Sequence, residues 1–499
     1  MTELLQPQIL GPLILAMLFG LFVGATPGLT ATMAVALIVP ISFELDNPTA
    51  SLAMIIGVSF AAIFAGDIPA IYLRIPGTPA SAATTLDGHA MARQGRAGHA
   101  LSLALFSSCL GGLVGVLILM FLAPQLAKFA LRFSNFEYFW LGILGLSLSA
   151  AVSGGSTIKG LLAAALGMLL STVGIDLVSG TPRFTFGQSD LMSGVGFIPV
   201  MIGLFGLSEV LRNVARGESM SAPSVRPDDH IRPLHSLLTL LRHKLTLVRA
   251  SIVGTFTGAL PGAGADIAAW AAYGIEKKSA RNPERLGKGD ERGVVAPAGA
   301  HNAAVAGAWI PALVFGIPGD TVTAIVIGAV LVYNLKPGPL IFEQSAAQVE
   351  AIFGIALITQ LLLLPCGYLA FKTFGGILRL PRNLIMTAVV VFSVVGAFAL
   401  RNSLFDVGIM VAAGWVGYFL ESRRIPVAPL ILGLILGPMV EENLRTGLIK
   451  SQGAFLPFVT RPICLVLWLL LVLSLVGPRI ARLLRKAPGP SPDTLIPRA

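Results

Sequence analysis

Four ionisable side chains stand inside long apolar runs: Asp67, Asp266, His301 and Asp320. Such a group is costly away from water and marks a functional position by default. Carboxylates and an imidazole there can pass protons, and carboxylates with carbonyl oxygens can hold a hard cation. Asn302 follows His301 and adds an amide. A second set is neutral: Thr78, Ser81, Thr84 and Thr85 in one stretch, Thr321 and Thr323 in another. Their hydroxyls can serve an anion, or bond carbonyls one turn back in their own helix. Asp320 can equally be a helix N-cap, and His301 an interhelical hydrogen-bond donor.

These residues cluster at four Pro-Gly turns in apolar sequence: Pro27-Gly28, Pro76-Gly77, Pro261-Gly262 and Pro318-Gly319. Ile68-Pro69-Ala70 leads to Ile75-Pro76-Gly77 as Ile310-Pro311-Ala312 leads to Ile317-Pro318-Gly319. Pro lacks an N–H and Gly favours turns, so each turn breaks a helix. At membrane depth a break is tolerated only where the freed backbone faces protein or a wet cavity. Corresponding breaks in two halves of an apolar chain point to a transporter binding site. Helices starting near Gly77 and Gly319 would turn free N–H groups and a positive dipole end toward an anion. On this reading Pro27, Gly28, Gly77, Thr78, Pro79, Ser81, Gly262, Gly264, Asn302, Gly319 and Thr321 bind substrate. Asp67, Asp266, Asp320 and His301 handle the coupling ion.

The composition sets the class. Of 499 residues, 55% are hydrophobic and 12% charged, against about 25% charged in a soluble domain. Mean hydropathy is +0.82. The fold class is an all-α, polytopic membrane protein with 10 to 14 passes. The net charge of +10 is read as basic cytoplasmic loops, with no nucleic acid implied. Cys109, Cys366 and Cys464 show no metal-ligand spacing and read as small apolar side chains. No phosphate loop is present, which excludes ATP-driven transport by this chain alone. The first basic residue is Arg74, which argues against a cleaved leader and for a non-cytoplasmic N-terminus. Asp87-Gly88-His89 is read as a structural turn, and Glu441-Glu442 as interfacial.

Basic residues crowd 212–249 and 276–293, so both should be cytoplasmic. The 26 residues between them are too few for two spans, which need about 40. They are expected to form a re-entrant hairpin with its tip at 260–266. The predicted domains are a first transmembrane repeat over 1–211, a basic cytoplasmic linker over 212–249, a second repeat with C-terminal helices over 250–486, and a disordered tail over 487–499. The repeats are expected to be inverted, with offsets of 234 residues at the first Pro-Gly pair and 242 at the second.

The motifs resemble the large membrane subunit of tripartite tricarboxylate transporters, the TctA family. The matching stretches are 77–89 (Gly77 to His89), Arg183-Phe184-Thr185-Phe186-Gly187, Ala272 to Lys277, Phe315-Gly316-Ile317-Pro318-Gly319, Lys336 to Leu340 and Leu436 to Asn443. The resemblance implies a multi-pass protein of the bacterial inner membrane that imports a di- or tricarboxylate-like organic anion. It implies Na⁺ or H⁺ as the coupling ion, no other cofactor, a small TctB-type membrane subunit and a periplasmic TctC-type binding protein, with membrane lipid around the whole. Four positions depart from the family pattern: Ala298 and His301 where Glu and Asn are usual, Asp320 where Ser is common, and Asp266 where a small or hydroxyl residue is usual. The expected function is an ion-coupled secondary transporter subunit, not an enzyme. The alternatives are an integral membrane enzyme for a lipid-linked substrate, and a channel or structural membrane subunit.

Overall fold

The computed structural model describes residues 2–45, 47–152, 156–176, 179–216, 233–333, 335–377, 382–399 and 401–484. The chain is almost wholly helical. The first Pro-Gly turn joins α1 (Pro7–Ala25) to α2 (Ala31–Phe43), and α3 (Pro48–Ala65) runs on through Gly66 into α4 (Asp67–Leu73). A 3₁₀ turn at Pro79–Ser81 leads to α5 (Thr84–Arg93), followed by α6 (Ala97–Ala130), α7 (Asn135–Val152) and α8 (Thr157–Ser171). A short antiparallel hairpin pairs Gly174–Ile175 with Pro182–Arg183. Next come α9 (Phe197–Met201), a π-helical stretch (Ile202–Leu207) and α10 (Ser208–Arg216), which together act as one rod.

The second half opens with α11 (Pro233–Arg242), α12 (Lys244–Gly258), α13 (Gly264–Ser279), α14 (Arg292–Phe315) and α15 (Thr321–Val332). The remainder is α16 (Ile341–Gln344), α17 (Ala346–Ile377), α18 (Arg382–Ala399), α19 (Leu404–Ser422), α20 (Ala428–Lys450), α21 (Leu456–Thr460) and α22 (Pro462–Leu484). Among the described residues, seven helices are long and apolar enough to cross a membrane, which makes this a multi-pass membrane protein. The α3–α4 rod and α14 are the two most completely buried of the seven.

The described parts of 212–249 are helical, where linker composition suggests none. Arg212 to Arg216 continue α10, and Pro233–Arg242 and Lys244 onward are helical. Positions 217–232 and the tail 487–499 lie outside the described residues. Helices α12 and α13 are 15 and 16 residues long. At about 1.5 Å per residue each reaches only some 22–24 Å, short of the roughly 30 Å hydrocarbon core. They form a hairpin turning at 259–263, within the expected region but with a shorter tip than 260–266, since α13 already starts at Gly264.

Glycine packing sets the spacing of both halves. A Cβ on Gly20 would lie 2.8 Å from the Val58 carbonyl oxygen, and one on Gly24 2.2 Å from that of Ala62. Gly254 meets Ala300 and Gly258 meets Ala304 in the same way, at 2.3 and 2.1 Å. The turn glycines complete the pattern: Gly77 abuts the Gly24 oxygen and Gly319 the Gly258 oxygen, at 2.2 and 2.3 Å. The offsets between equivalent residues are again 234 and 242. Only hydrogen fits at these positions, so helix backbones touch and the two Pro-Gly turns of each half are held in place against them.

Candidate functional site

The two turn systems converge on one cavity of about 550 Å³. Thr78 and Pro79 enter it from the first half, and Gly262, Gly264, Asp266, Asp320 and Thr321 from the second. Thr30 and Thr32, just past the first Pro-Gly turn, also line it. The Thr32 and Thr321 hydroxyls meet at 3.0 Å and bridge the halves. The hairpin tip is fixed to the opposite turn by the Gly262 N–H, which donates to the Gly319 carbonyl at 2.7 Å. Gly262 has φ +81° and a Cβ there would lie 2.3 Å from Ser149 Cα, so this corner requires glycine twice over.

Asp320 both caps and lines. Its Oδ1 accepts from the Thr323 N–H at 2.7 Å and the Thr323 hydroxyl at 2.7 Å, while Thr323 Oγ1 accepts from the Asp320 N–H at 3.0 Å. The other carboxylate oxygen faces Gly264. Asp266 is solvent-accessible within the cavity wall.

Several residues expected to bind substrate have other work. Gly77 and Gly319 are backbone contact points and do not line the cavity. Ser81 is buried and holds the turn: its hydroxyl donates to the Thr78 carbonyl at 2.7 Å and accepts from the Thr78 N–H at 3.3 Å. That leaves Thr78 Oγ1 buried and unpartnered beside the cavity. Thr84 is buried, and the Thr85 hydroxyl donates to the Ala82 carbonyl at 2.7 Å. Pro27 and Gly28 do not line the cavity; Gly28 takes φ +90° to turn the chain into α2.

Asp67 and His301, 234 residues apart in sequence, are one pair. His301 Nε2 lies 2.9 Å from Asp67 Oδ2, and neither side chain is accessible at all. Asn302, expected to bind substrate, does not line the cavity; it is buried with both amide atoms unpartnered. The four ionisable residues found in apolar sequence thus divide into a buried dyad and two cavity acids.

Sequence reasoning missed the charged wall. Glu209 and Arg212 of α10 and Glu421 at the C-terminal end of α19 line the cavity. Arg212 bonds Glu421 and lies 3.0 Å from Glu209. Arg212 had been placed in the cytoplasmic linker; the signal overlooked is Glu209 three residues before it, one helical turn away at the end of an apolar run.

A second cavity, of about 490 Å³, lies beside the β hairpin. Arg183 forks onto Glu441 at 2.6 and 3.2 Å, and Arg445 reaches Asp176 at 2.7 Å. The Arg183-Phe184-Thr185-Phe186-Gly187 motif and Glu441 therefore meet in one ion-pair network. Asp87 belongs to neither cavity. Its carboxylate accepts from the N–H groups of Gly287, Gly289 and Asp290, each at 2.8 Å, and from the Tyr273 hydroxyl at 2.9 Å. It is a helical residue of α5 that clamps a loop of the second half.

Comparison with known proteins bears on the whole chain. A model of the tripartite tricarboxylate transporter TctA family matches residues 10–432. The uncharacterized 52.8 kDa protein in the TAR-I ttuC' 3' region of Agrobacterium vitis is 37% identical over 449 residues, covering 89% of this chain and 88% of that one. The uncharacterized protein in the TAR-II ttuC' 3' region of the same organism is 36% identical over 210 residues, 42% of this chain and 87% of its own. No solved structure matches.

Proposed function

The chain belongs to the tripartite tricarboxylate transporter TctA family, and on that premise we propose that it is the carrier subunit of a cation-coupled importer of small organic anions. One observation carries the coupling: the charge of the cavity. Among the described residues, Asp266, Asp320, Glu209 and Glu421 line it against one guanidinium, that of Arg212. A di- or tricarboxylate entering such a low-dielectric site meets net negative charge and is repelled unless cations enter with it. Arg212 and the hydroxyls of Thr32, Thr78 and Thr321 would receive the anion. Asp266, Asp320 and the Asp67–His301 pair would take Na⁺ or H⁺.

By the positive-inside rule, the end carrying Arg93, Arg96, Lys288 and Arg292 is cytoplasmic. The two halves are then inverted repeats of a bacterial inner-membrane protein, 1–211 and 250–486 in first outline, with the boundary moved past Arg216. The β hairpin and Arg183–Glu441 network lie at the periplasmic end. A TctC-type binding protein would deliver substrate there, and a TctB-type small subunit would complete the complex in the lipid.

The test is uptake by proteoliposomes containing the full chain and the small membrane subunit, with radiolabelled succinate, malate and citrate. Accumulation against a gradient that requires an imposed cation gradient supports the reading. Non-saturating flux favours a channel, and chemical conversion of a lipid-linked substrate without any gradient favours an enzyme.

A further inference from the structure

The Asp67–His301 contact goes beyond a general ion-handling role. Both side chains are fully buried and bond each other at 2.9 Å. Asp67 Oδ1, His301 Nδ1 and both amide atoms of Asn302 have no hydrogen-bond partner. Each chain half contributes one member, from the most buried rod of that half.

A buried carboxylate without compensation costs several kcal/mol. With a neutral imidazole donating from Nε2, the pair carries one net negative charge. One more proton makes the pair neutral, either as carboxylate with imidazolium or as carboxylic acid with neutral imidazole. In both loaded forms Nδ1 carries hydrogen. A metal cation is a poor occupant: two ligand atoms roughly 2.4 Å from it at a right angle lie about 3.4 Å apart, farther than the 2.9 Å between these two, and imidazole is a poor ligand for hard cations. Among the described residues no group of three His, Cys, Asp or Glu side chains could hold a metal ion.

The surroundings leave the pair little other charge to answer to. Asp266 on α13 is within electrostatic reach of His301. On α6 the polar groups near this level of α14 are Ser107 and Ser108, and α6 has no ionisable acid or base between His99 and Lys128 other than Cys109. Helix α12 offers Ser251 and Thr255 beyond Arg249, α3 offers Ser59, and α15 begins at Asp320. On α5, Asp87 abuts Gly293 about two turns away, and His89 Nδ1 is held by the Ile71 carbonyl at 3.0 Å.

We propose that Asp67 and His301 form a single proton-binding site, loaded in the buried state seen here, and that the proton is the ion coupled to transport through this dyad. The proposal rests on the carrier reading above and narrows it. The proton arrives from one aqueous face, neutralises the pair so that it can remain dry, and leaves on the other.

The test is infrared difference spectroscopy of the full chain in lipid nanodiscs, titrated from about pH 5 to about pH 9. Wild type should show one step in which a carboxyl and an imidazole signal change together. The step should be lost in both Asp67→Asn and His301→Gln, and its midpoint should be the same in sodium and choline chloride. A step that survives in both variants overturns the proposal. So does a wild-type midpoint that moves with sodium, a result that needs no variant to fold. Uptake of labelled succinate, malate and citrate separates the two readings: no carriage by a protein with an intact step sinks the carrier reading alone. Uphill, sodium-driven uptake indifferent to a pH gradient sinks the dyad alone.

Discussion

The Gly262 N–H donates to the Gly319 carbonyl at 2.7 Å, tying the tip of the α12–α13 hairpin to the turn that starts α15. The bond forms only because Gly319 reaches the Gly258 carbonyl with no Cβ between. A Cβ at Gly319 would sit 2.3 Å from that oxygen and 2.7 Å from Ala308 Cα. Neither backbone can yield without moving a helix, and overpacking of this kind costs about 1–3 kcal/mol or more. Gly319→Ala is expected to lower the unfolding temperature and uptake together, and Gly77→Ala to behave alike. Gly274→Ala, with nothing within 4 Å, should leave the unfolding temperature unchanged. Fluorescence-detected size exclusion after heating gives the comparison.

Asp87 is fully buried and accepts from three backbone N–H groups and the Tyr273 hydroxyl. Hydrogen bonds to a charged group contribute about 1.5–3 kcal/mol each, and removing the acceptor strands its donors. Asp87→Ala should therefore destabilise the chain by several kcal/mol. Because Asp87 lies outside both cavities, the variant that survives purification should keep the wild-type KM for uptake. A changed KM with unchanged unfolding temperature would contradict a purely structural clamp.

Most of the fold was legible in the sequence, and the reason is the bilayer. Long apolar runs fix the helical membrane class and the positions of most helices with little help from tertiary contacts. The Pro-Gly turns were legible because Pro and Gly restrict backbone geometry wherever they occur. What stayed hidden depends on contacts between distant segments. Nothing in the apolar runs around Asp67 and His301 says that the two meet. Ser81 read as a ligand and is a turn brace, because its hydroxyl satisfies Thr78 locally. Arg212 read as a loop cation because it follows the end of an apolar run, and only the packing of α10 on α19 brings it to Glu421 and the cavity.

Glu291 precedes α14 at the basic end, with His243 and His99 each 3.2 Å from its carboxylate. Those hydrogen bonds, His243 first, hold its carboxyl well below the usual carboxylate range. A depressed folded value means that the contribution is complete above the ordinary glutamate value of about 4.3 and fades as pH falls below it. Wild type should therefore unfold at a higher temperature than Glu291→Gln at neutral pH, and the gap should narrow below about pH 4. Intrinsic tryptophan fluorescence on heating measures it. A gap that widens on acidification would reverse the sign.

Arg212 is the one cation among the described residues that line the main cavity. Its planar fork suits carboxylates in a way an ammonium does not. Arg212→Ala should raise the KM for the organic anion by tenfold or more, about 1.4 kcal/mol or greater in binding. Arg212→Lys should recover only part of it. Glu421→Gln, which frees the guanidinium from a competing carboxylate, should lower KM. Equal KM values in all three would remove Arg212 from substrate binding.

Asp320 holds two roles that can be separated. As an N-cap its Oδ1 accepts from the Thr323 N–H at 2.7 Å, a function that Asn performs about as well and Ala does not. As a cavity acid it contributes negative charge, which Asn removes. Asp320→Asn should keep wild-type stability, whereas Asp320→Ala should lose about 1 kcal/mol. If the charge takes part in coupling, Asp320→Asn abolishes uphill accumulation while leaving counterflow exchange of labelled anion across the same vesicles. A cap alone predicts the opposite ordering: Asn indistinguishable from wild type in accumulation, and Ala impaired in both assays through instability. Measuring accumulation, counterflow and unfolding temperature on the two variants therefore decides whether this carboxylate binds the helix end only or also the coupling ion.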